Sequence, residues 1–509
     1  MARMRVGVCA WVLFCCSTHG AGGASQNSGP VRAAADTPRP STTLDTRFRA
    51  VRAHIAELVS AGNVPSMTVA VAKDGKIIWE EGFGLADVAR RVPATPNTTY
   101  ALASLGKSIT ATAVMALVDR GLVKLDDPVD TYIAPAKLRV YQGRPSDVTV
   151  RSLLEMRGGV PHLWWHAWAD ETDNPPPIDE LMRRYGIVVL PPGQFFLYSN
   201  LSYGILQSVV ERASGRPFDE LVREHVFRPL GMTHSSVRPE TRLASFAALP
   251  YERGDPKALR YLYSEPLGGA GYRSSAHDLV LYGMYHLGDR ATGRSNVMSE
   301  PTFRTLHDVA KGTGYQSGWG VAEDAGGYWT LTANGGIVGA TSMLRLVPSE
   351  DLAVVCLTNA ATGDRITDVI AYELIAAVLP RYAKRLVIPE AYATKPYVAS
   401  AELVGEWAGR LVTPDGSTAL RMTFRETGDV VASIGEEPAE TVTDLVVELG
   451  LLVGSFRGTV PFTDARRRPH NVEIGLARVK DTLVGYARAQ TTDQKSFFGL
   501  PFYVELSKR

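Results

Sequence analysis

The fold the sequence predicts is an α+β unit followed by an all-β one, and three observations predict it. A chain of 509 residues is too long for one ordinary core. Between about 43 and 380 the order runs strands, then helices, then strands, which builds one antiparallel sheet from both ends of the segment and flanks it with helices. Beyond residue 398 apolar side chains return every second position. With 45% apolar and 21% charged residues the chain is globular, and disordered or fibrous readings are excluded. Lys and Arg total 54 against 53 Asp and Glu, a balance with no field to draw a polyanion, so nucleic acid is not an expected partner.

Taken in order, Arg3 and Arg5 precede an apolar run, Val6 to Cys16, and a small-residue stretch, Gly20 to Ala24. Eleven apolar residues are too few to cross a bilayer at about 1.5 Å per residue. Residues 1–24 therefore read as a secretory signal, and the protein is expected to be exported, periplasmic or secreted, with no integral membrane segment in the mature chain. Anchoring as a lipoprotein through Cys15 or Cys16 is less favoured, because Phe14 and Cys15 stand where small residues would be needed. Residues 25–42 are small, polar and Pro-rich, a disordered linker. Once the signal is removed only Cys356 remains, in the apolar run Leu352 to Leu357, where it reads as a core residue.

Leu44, Phe48, Val51, Ile55 and Leu58, ending at Gly62, mark an amphipathic helix. Val69 and Val71, Asp74-Gly75, then Ile77 to Trp79 mark a hairpin. Helical spacing runs from Ser104 to Gly121 and again from Ser202 to Ala213, with Pro217 to His225 continuing it. Trp329 to Thr332, Ser342 to Val347 and Leu352 to Leu357 read as strands. Pro380, Pro389 and Pro396 punctuate a linker, 381–397. In 398–509 Leu420, Met422 and Phe424, then Val430 to Ile434, then Val472, Ile474 and Leu476 alternate as strands of a small barrel.

The residues that carry chemistry begin with Ser104-Leu-Gly-Lys107. Three positions apart on one helical face, the ammonium of Lys107 can stand beside the Ser104 hydroxyl, and a helix N-terminus favours negative charge developing there. A serine-x-x-lysine also fits a capping serine and a solvated lysine. The surrounding chain decides between them. Val64-Pro65, Asp74-Gly75-Lys76, Gly82-Phe-Gly-Leu-Ala-Asp87, Leu125-Asp-Asp-Pro128, Pro192-Gly193, Tyr198-Ser-Asn200, Pro229-Leu-Gly-Met232 and Gly268-Gly269 follow in one order over about 44–378.

This set resembles the serine β-lactamase and penicillin-binding-protein superfamily, specifically its class C β-lactamase, DD-peptidase and esterase branch. The resemblance implies a β-lactamase/transpeptidase-like fold, a catalytic set of Ser104, Lys107 and Tyr198, and substrate contact through Asn200, which would also hold the lysine. A phenol titrates near 10, so Tyr198 can act as a base at neutral pH only beside a cation, and Lys107 is the obvious one. The resemblance requires no cofactor and no metal. Its third element, a lysine or histidine, then any residue, then glycine, is matched by Ala333-Asn334-Gly335-Gly336, so the cation is missing. Asn334, Gly335 and Gly336 would still line the substrate, and the Gly336 amide could complete an oxyanion hole with that of Ser104.

A charge-assisted hydrogen bond to a carboxylate contributes about 1.5–3 kcal/mol, and Ala333 can make none. Penicillins, cephalosporins and D-alanyl-D-alanine peptides should therefore suffer relative to simple esters and neutral amides. The expected function is an exported serine hydrolase acting through an acyl-enzyme on an ester, peptide or β-lactam. The alternative is a family member that lost useful catalysis and binds peptidoglycan fragments or a protein partner. Arg273, five residues after Gly268, could reach in from elsewhere to meet a carboxylate, but a lone arginine after a glycine turn reads more readily as a surface residue. His162-Leu-Trp-Trp-His166-Ala-Trp168 reads as loop packing or an aromatic lid over an acyl pocket, since its two histidines lack an acidic third ligand for a metal. Gly268 to Gly271 reads as a tight turn. Gly405-Glu-Trp407 followed by alternating strands resembles the lipocalin-like domains appended to some members of the family. Oligomeric state is not legible.

Overall fold

Asp74 and Gly75 both take left-handed backbone angles, φ 52° and 70°, and in the computed structural model this turn folds Ser66–Lys73 back on Lys76–Asp87 with Lys73 opposite Lys76. The structure describes residues 46–168, 175–288, 297–307, 314–361, 366–383, 386–387, 393–492 and 496–509. The expected signal sequence and the expected linker 25–42 lie outside the described residues. No helix among the described residues is long and apolar enough to cross a membrane.

The hairpin is one side of an antiparallel sheet ordered Gly314–Gln316, Trp319–Asp324, Trp329–Ile337, Ala340–Val347, Leu352–Thr358, Ser66–Lys73, Lys76–Asp87 and Val92–Pro93. Strands from both ends of the segment thus meet at the centre, where Val69 lies opposite Cys356. Along Ser66–Lys73, Met67, Val69 and Val71 join one core while Ala70 and Ala72 join the other, so both faces are covered and every residue before Lys73 is buried. Cys356 is fully buried with a free thiol. Helices Arg49–Ser60 and Ile366–Val378 pack on the first face. On the second lie Gly106–Asp119, Asn200–Ser214 and Ala276–His286. Every residue from Gly106 to Leu117 is buried, the mark of a helix enclosed on all sides.

The C-terminal region is one antiparallel sheet, ordered Lys395–Pro396, Thr443–Glu448, Leu451–Arg457, His470–Val479, Thr482–Thr491, Ser496–Lys508, Gly405–Thr413, Gly416–Phe424, Val430–Ile434 and Glu440–Thr441. Its first strand lies within the segment read as a linker. Leu420, Met422 and Phe424 are buried along one face, as their two-residue period requires.

The aromatic segment departs from expectation. Trp164–Trp168 is neither lid nor loop but a strand, set between Leu262–Glu265 and the N-terminal half of Ser496–Lys508. Trp165 pairs with Phe498, and the Trp164 ring lies on Gly499, where it would stand 2.4 Å from an added Cβ. His162 and His166 belong to no group of three or more residues that could hold a metal ion among the described residues. The joint is reinforced by Tyr185, which donates to Asp464 at 2.7 Å, by Arg184 at 2.6 Å from the same carboxylate, and by Tyr141 stacked on Tyr503 at 4.2 Å. The N-terminal core and the C-terminal sheet therefore share hydrogen-bonded strands and a common apolar cluster.

Leu262–Glu265 leads into a single helical turn, Leu267–Ala270, whose first N–H is accepted by Glu265 at 3.0 Å. Burial pushes the Glu265 carboxyl up to about 7. A raised acid pKa means the folded chain holds a proton that the unfolded chain releases, so stability present at low pH is lost as pH rises from about 4.5 to 7. Glu265→Gln should remove that loss: unfolding midpoints followed by circular dichroism should rise relative to the parent between pH 4.5 and 7.5, by on the order of 1–3 kcal/mol. Trp165, 2% exposed at the shared strand, should cost about 3–5 kcal/mol when replaced by alanine, measured by denaturant unfolding.

Candidate active site

Ser104 lies in a short helical turn, Ala103–Leu105, that runs directly into helix Gly106–Asp119. Ala103 adopts φ 47°, a left-handed conformation that costs a residue with a Cβ on the order of 1 kcal/mol. The bend is held from both sides: the Leu102 N–H donates to the Tyr272 carbonyl at 2.8 Å, and Ser342 donates to the Leu102 carbonyl at 2.7 Å. Leu102 and Leu105 are buried, while Ser104 between them is partly open.

Three expected side chains meet at one oxygen. Lys107, 1% exposed, donates to Ser104 Oγ at 3.0 Å and to the Gly269 carbonyl at 2.7 Å. Tyr198 donates to Ser104 Oγ at 2.7 Å, and the Lys107 ammonium stands 4.8 Å from the centre of its ring, close enough for a cation–π attraction. Tyr198 arrives on the extended chain just before helix Asn200–Ser214, which Ser199 caps by accepting from the Ser202 N–H at 2.9 Å.

Asn200 does not hold the lysine as expected. Its Oδ1 is buried without a hydrogen-bond partner, so it does not accept from the lysine. The carbonyl of Gly269 takes that place. Gly268 and Gly269 are glycines because they pack against helix Asn200–Ser214: a Cβ on the first would fall 2.4 Å from the Tyr203 carbonyl, and one on the second 3.0 Å from Asn200 Cβ. Thr110 donates to the Gly268 carbonyl at 2.7 Å and Gln207 accepts from the Gly268 N–H at 3.0 Å. The pair read as a tight turn is thus a clamped helical turn that aims one carbonyl at Lys107.

His162 was visible only as part of an aromatic run. Its Nδ1 accepts from the Asn200 N–H at 3.1 Å, which leaves the ring proton on Nε2, and its ring meets Tyr198 edge-on at 5.1 Å. Burial above all, then the positive charges of Arg488 and Lys107, holds its pKa well below the usual histidine range, so the ring is neutral. Burial likewise lowers His166 to about 4.

The third element lies on strand Trp329–Ile337. Gly335 rests directly on the serine turn, where a Cβ would meet the Leu102 carbonyl at 2.1 Å and the Ser104 nitrogen at 2.7 Å. Gly336 is exposed with nothing within 4 Å of its would-be Cβ, leaving open backbone beside the serine, and Asn334 is partly exposed next to it. Ala333 is 2% exposed and belongs to the core cluster. Arg273 is not on the surface as expected: it is only partly exposed, and its guanidinium donates to the carbonyls of Thr99 at 3.3 Å and Ala248 at 3.2 Å.

Comparison with known proteins gives the family and the fold. The family described as Beta-lactamase matches residues 51–377, well over half of the chain. The "Protein flp" of Staphylococcus aureus (strain N315) is 25% identical over 305 residues, 58% of this chain and 60% of that protein, so the chain spans about three fifths of the curated relatives it matches. Among solved structures, the octameric penicillin-binding protein homologue from Pyrococcus abyssi aligns over 88% of this chain and 99% of its own, with TM-score 0.55 and 21% identity. A class C beta-lactamase in complex with cefoxitin aligns over 65% of this chain and 98% of its own, with TM-score 0.54 and 18% identity, a likeness of fold. With a family match across residues 51–377 and a fold shared with penicillin-binding-protein and class C relatives, the chain belongs to the beta-lactamase family.

Proposed function

We propose that the chain is an exported serine hydrolase that cleaves an ester or amide through an acyl-enzyme. The observation that supports it is a single oxygen, Ser104 Oγ, reached by the Tyr198 hydroxyl at 2.7 Å and the Lys107 ammonium at 3.0 Å. Export rests on the character of residues 1–24.

In the proposed reaction Tyr198 acts as its phenolate, the form the adjacent lysine charge favours, and Ser104 Oγ bonds to the substrate carbonyl carbon while its proton passes to that phenolate. The carbonyl oxygen takes up the negative charge facing the amides of Ser104 and Gly336. Tyr198 returns the proton to the leaving group as the carbon–leaving-group bond breaks. Water then attacks the acyl-enzyme and loses a proton to the Tyr198 phenolate, which passes it to Ser104 Oγ as the acyl–oxygen bond breaks and the acid is freed. His162, by holding the Asn200 N–H and bordering Tyr198, is a positioning residue.

Ala333 sets the substrate preference. A small buried side chain offers no charge to a carboxylate near the scissile bond, and enlarging it would overpack the core behind it. Simple esters and neutral amides are the favoured substrates.

Ser104→Ala should abolish p-nitrophenyl ester turnover, and Tyr198→Phe should lower kcat by about 10²–10⁴ with KM little changed. Undiminished turnover by Ser104→Ala contradicts the proposal. In the unaltered protein, kcat/KM for a neutral p-nitrophenyl ester should exceed that for nitrocefin or a D-Ala-D-Ala peptide by at least roughly tenfold.

A further inference from the structure

We propose that Arg273 forms a second substrate subsite beside the nucleophile, one that takes a carboxylate carried several bonds away from the scissile carbonyl. The inference rests on the acyl-enzyme reading above and names a substrate class for it.

The placement follows from pairing. Arg273 lies opposite Ala101, three residues before Ser104, and the two with Tyr261, Ile337, Val338 and Gly339 line one pocket. Ile337 follows Gly336 directly, so the pocket borders both segments that flank the serine. Its rim is fixed in shape: Gly339 turns at φ 78° against Pro250, whose Cβ would stand 2.3 Å from an added side chain.

The chemistry follows from what the guanidinium lacks. It carries five N–H donors, and its recorded hydrogen bonds run from one nitrogen to two carbonyls at 3.2 and 3.3 Å. Among the described residues no carboxylate lies within ion-pair distance of it, and the pocket lining contains no Asp or Glu. Burial draws its pKa below the ordinary arginine range, the direction expected of a cation without an anion beside it. Tyr261, whose hydroxyl feels the charges of both Arg273 and Arg238, adds a donor on the same wall. A planar fork of this kind fits a carboxylate.

Reach selects among carboxylates. Ala101 stands three residues before Ser104, at most about 10 Å along the chain, a span that an acid at the far end of a four- to six-carbon chain can bridge. The subsite therefore compensates for Ala333 only in part, and for a different class of substrate.

The test compares the p-nitrophenyl monoester of adipic acid with p-nitrophenyl hexanoate. The ratio of kcat/KM, adipate over hexanoate, should fall roughly ten- to hundredfold in Arg273→Gln through KM and recover in part in Arg273→Lys. A ratio unmoved by Arg273→Gln overturns the proposal. Two readouts do not depend on turnover. Adipate should bind Ser104→Ala by calorimetry as it binds the parent, and it should protect Arg273 of the parent from phenylglyoxal, followed by peptide mass spectrometry. Absence of binding, or modification of Arg273 indifferent to adipate, overturns the subsite. Turnover retained in Ser104→Ala would instead overturn the hydrolase reading while leaving the binding result in place.

Discussion

A buried ammonium is the constraint on which the rest of the structure depends. Taking a charge out of water costs several kcal/mol unless hydrogen bonds replace its hydration, and Lys107 is almost completely enclosed. One bond goes to the Gly269 carbonyl and another to Ser104 Oγ. Each demands architecture. The carbonyl requires two glycines thin enough to lie on helix Asn200–Ser214, clamped by Thr110 and Gln207. The serine requires a left-handed bend at Ala103, a strain tolerated because Tyr272, Ser342 and Gly335 hold the turn on every side. The charge is thereby held against Ser104 Oγ, the oxygen that loses its proton in the proposed reaction.

The C-terminal sheet is tied to the same centre through a short path. His162 holds the amide that begins the helix after Tyr198, and two residues later the chain enters a strand hydrogen-bonded to Ser496–Lys508. Arg488, on the neighbouring strand, lies 4.8 Å from the centre of the Trp164 ring and pairs with buried Glu473. Appended domains often hang on flexible connections; here backbone pairing continues from one core into the other.

Local features of the fold were legible in the sequence. Asp74-Gly75 between alternating apolar residues specifies a hairpin wherever it occurs, and the helical spacing from Ser104 to Gly121 needs no distant partner to be recognised. The meeting of Ser104, Lys107 and Tyr198 was likewise readable, since two of the three share a helix and the third came from the resemblance. What escaped depends on contacts between residues remote in sequence. Nothing in Trp164 to Trp168 says that its partner strand begins at Ser496, and a short aromatic run fits a lid as well as a strand. A backbone carbonyl such as that of Gly269 has no side-chain signature. Arg273 looked like a surface residue because a glycine-rich neighbourhood carries no sign of burial, and Asn200 was assigned to the lysine although the turn beside it supplies the acceptor instead.

Whether the shared oxygen is in fact reactive is tested most directly by covalent labelling. The intact protein, incubated with a fluorophosphonate probe and digested, should carry a single stoichiometric adduct, and fragmentation should place it on Ser104. Adduct formation should be lost in Lys107→Met protein that retains its native circular dichroism. An unlabelled Ser104 in the folded parent, or labelling that persists at full rate without the lysine, would contradict the account.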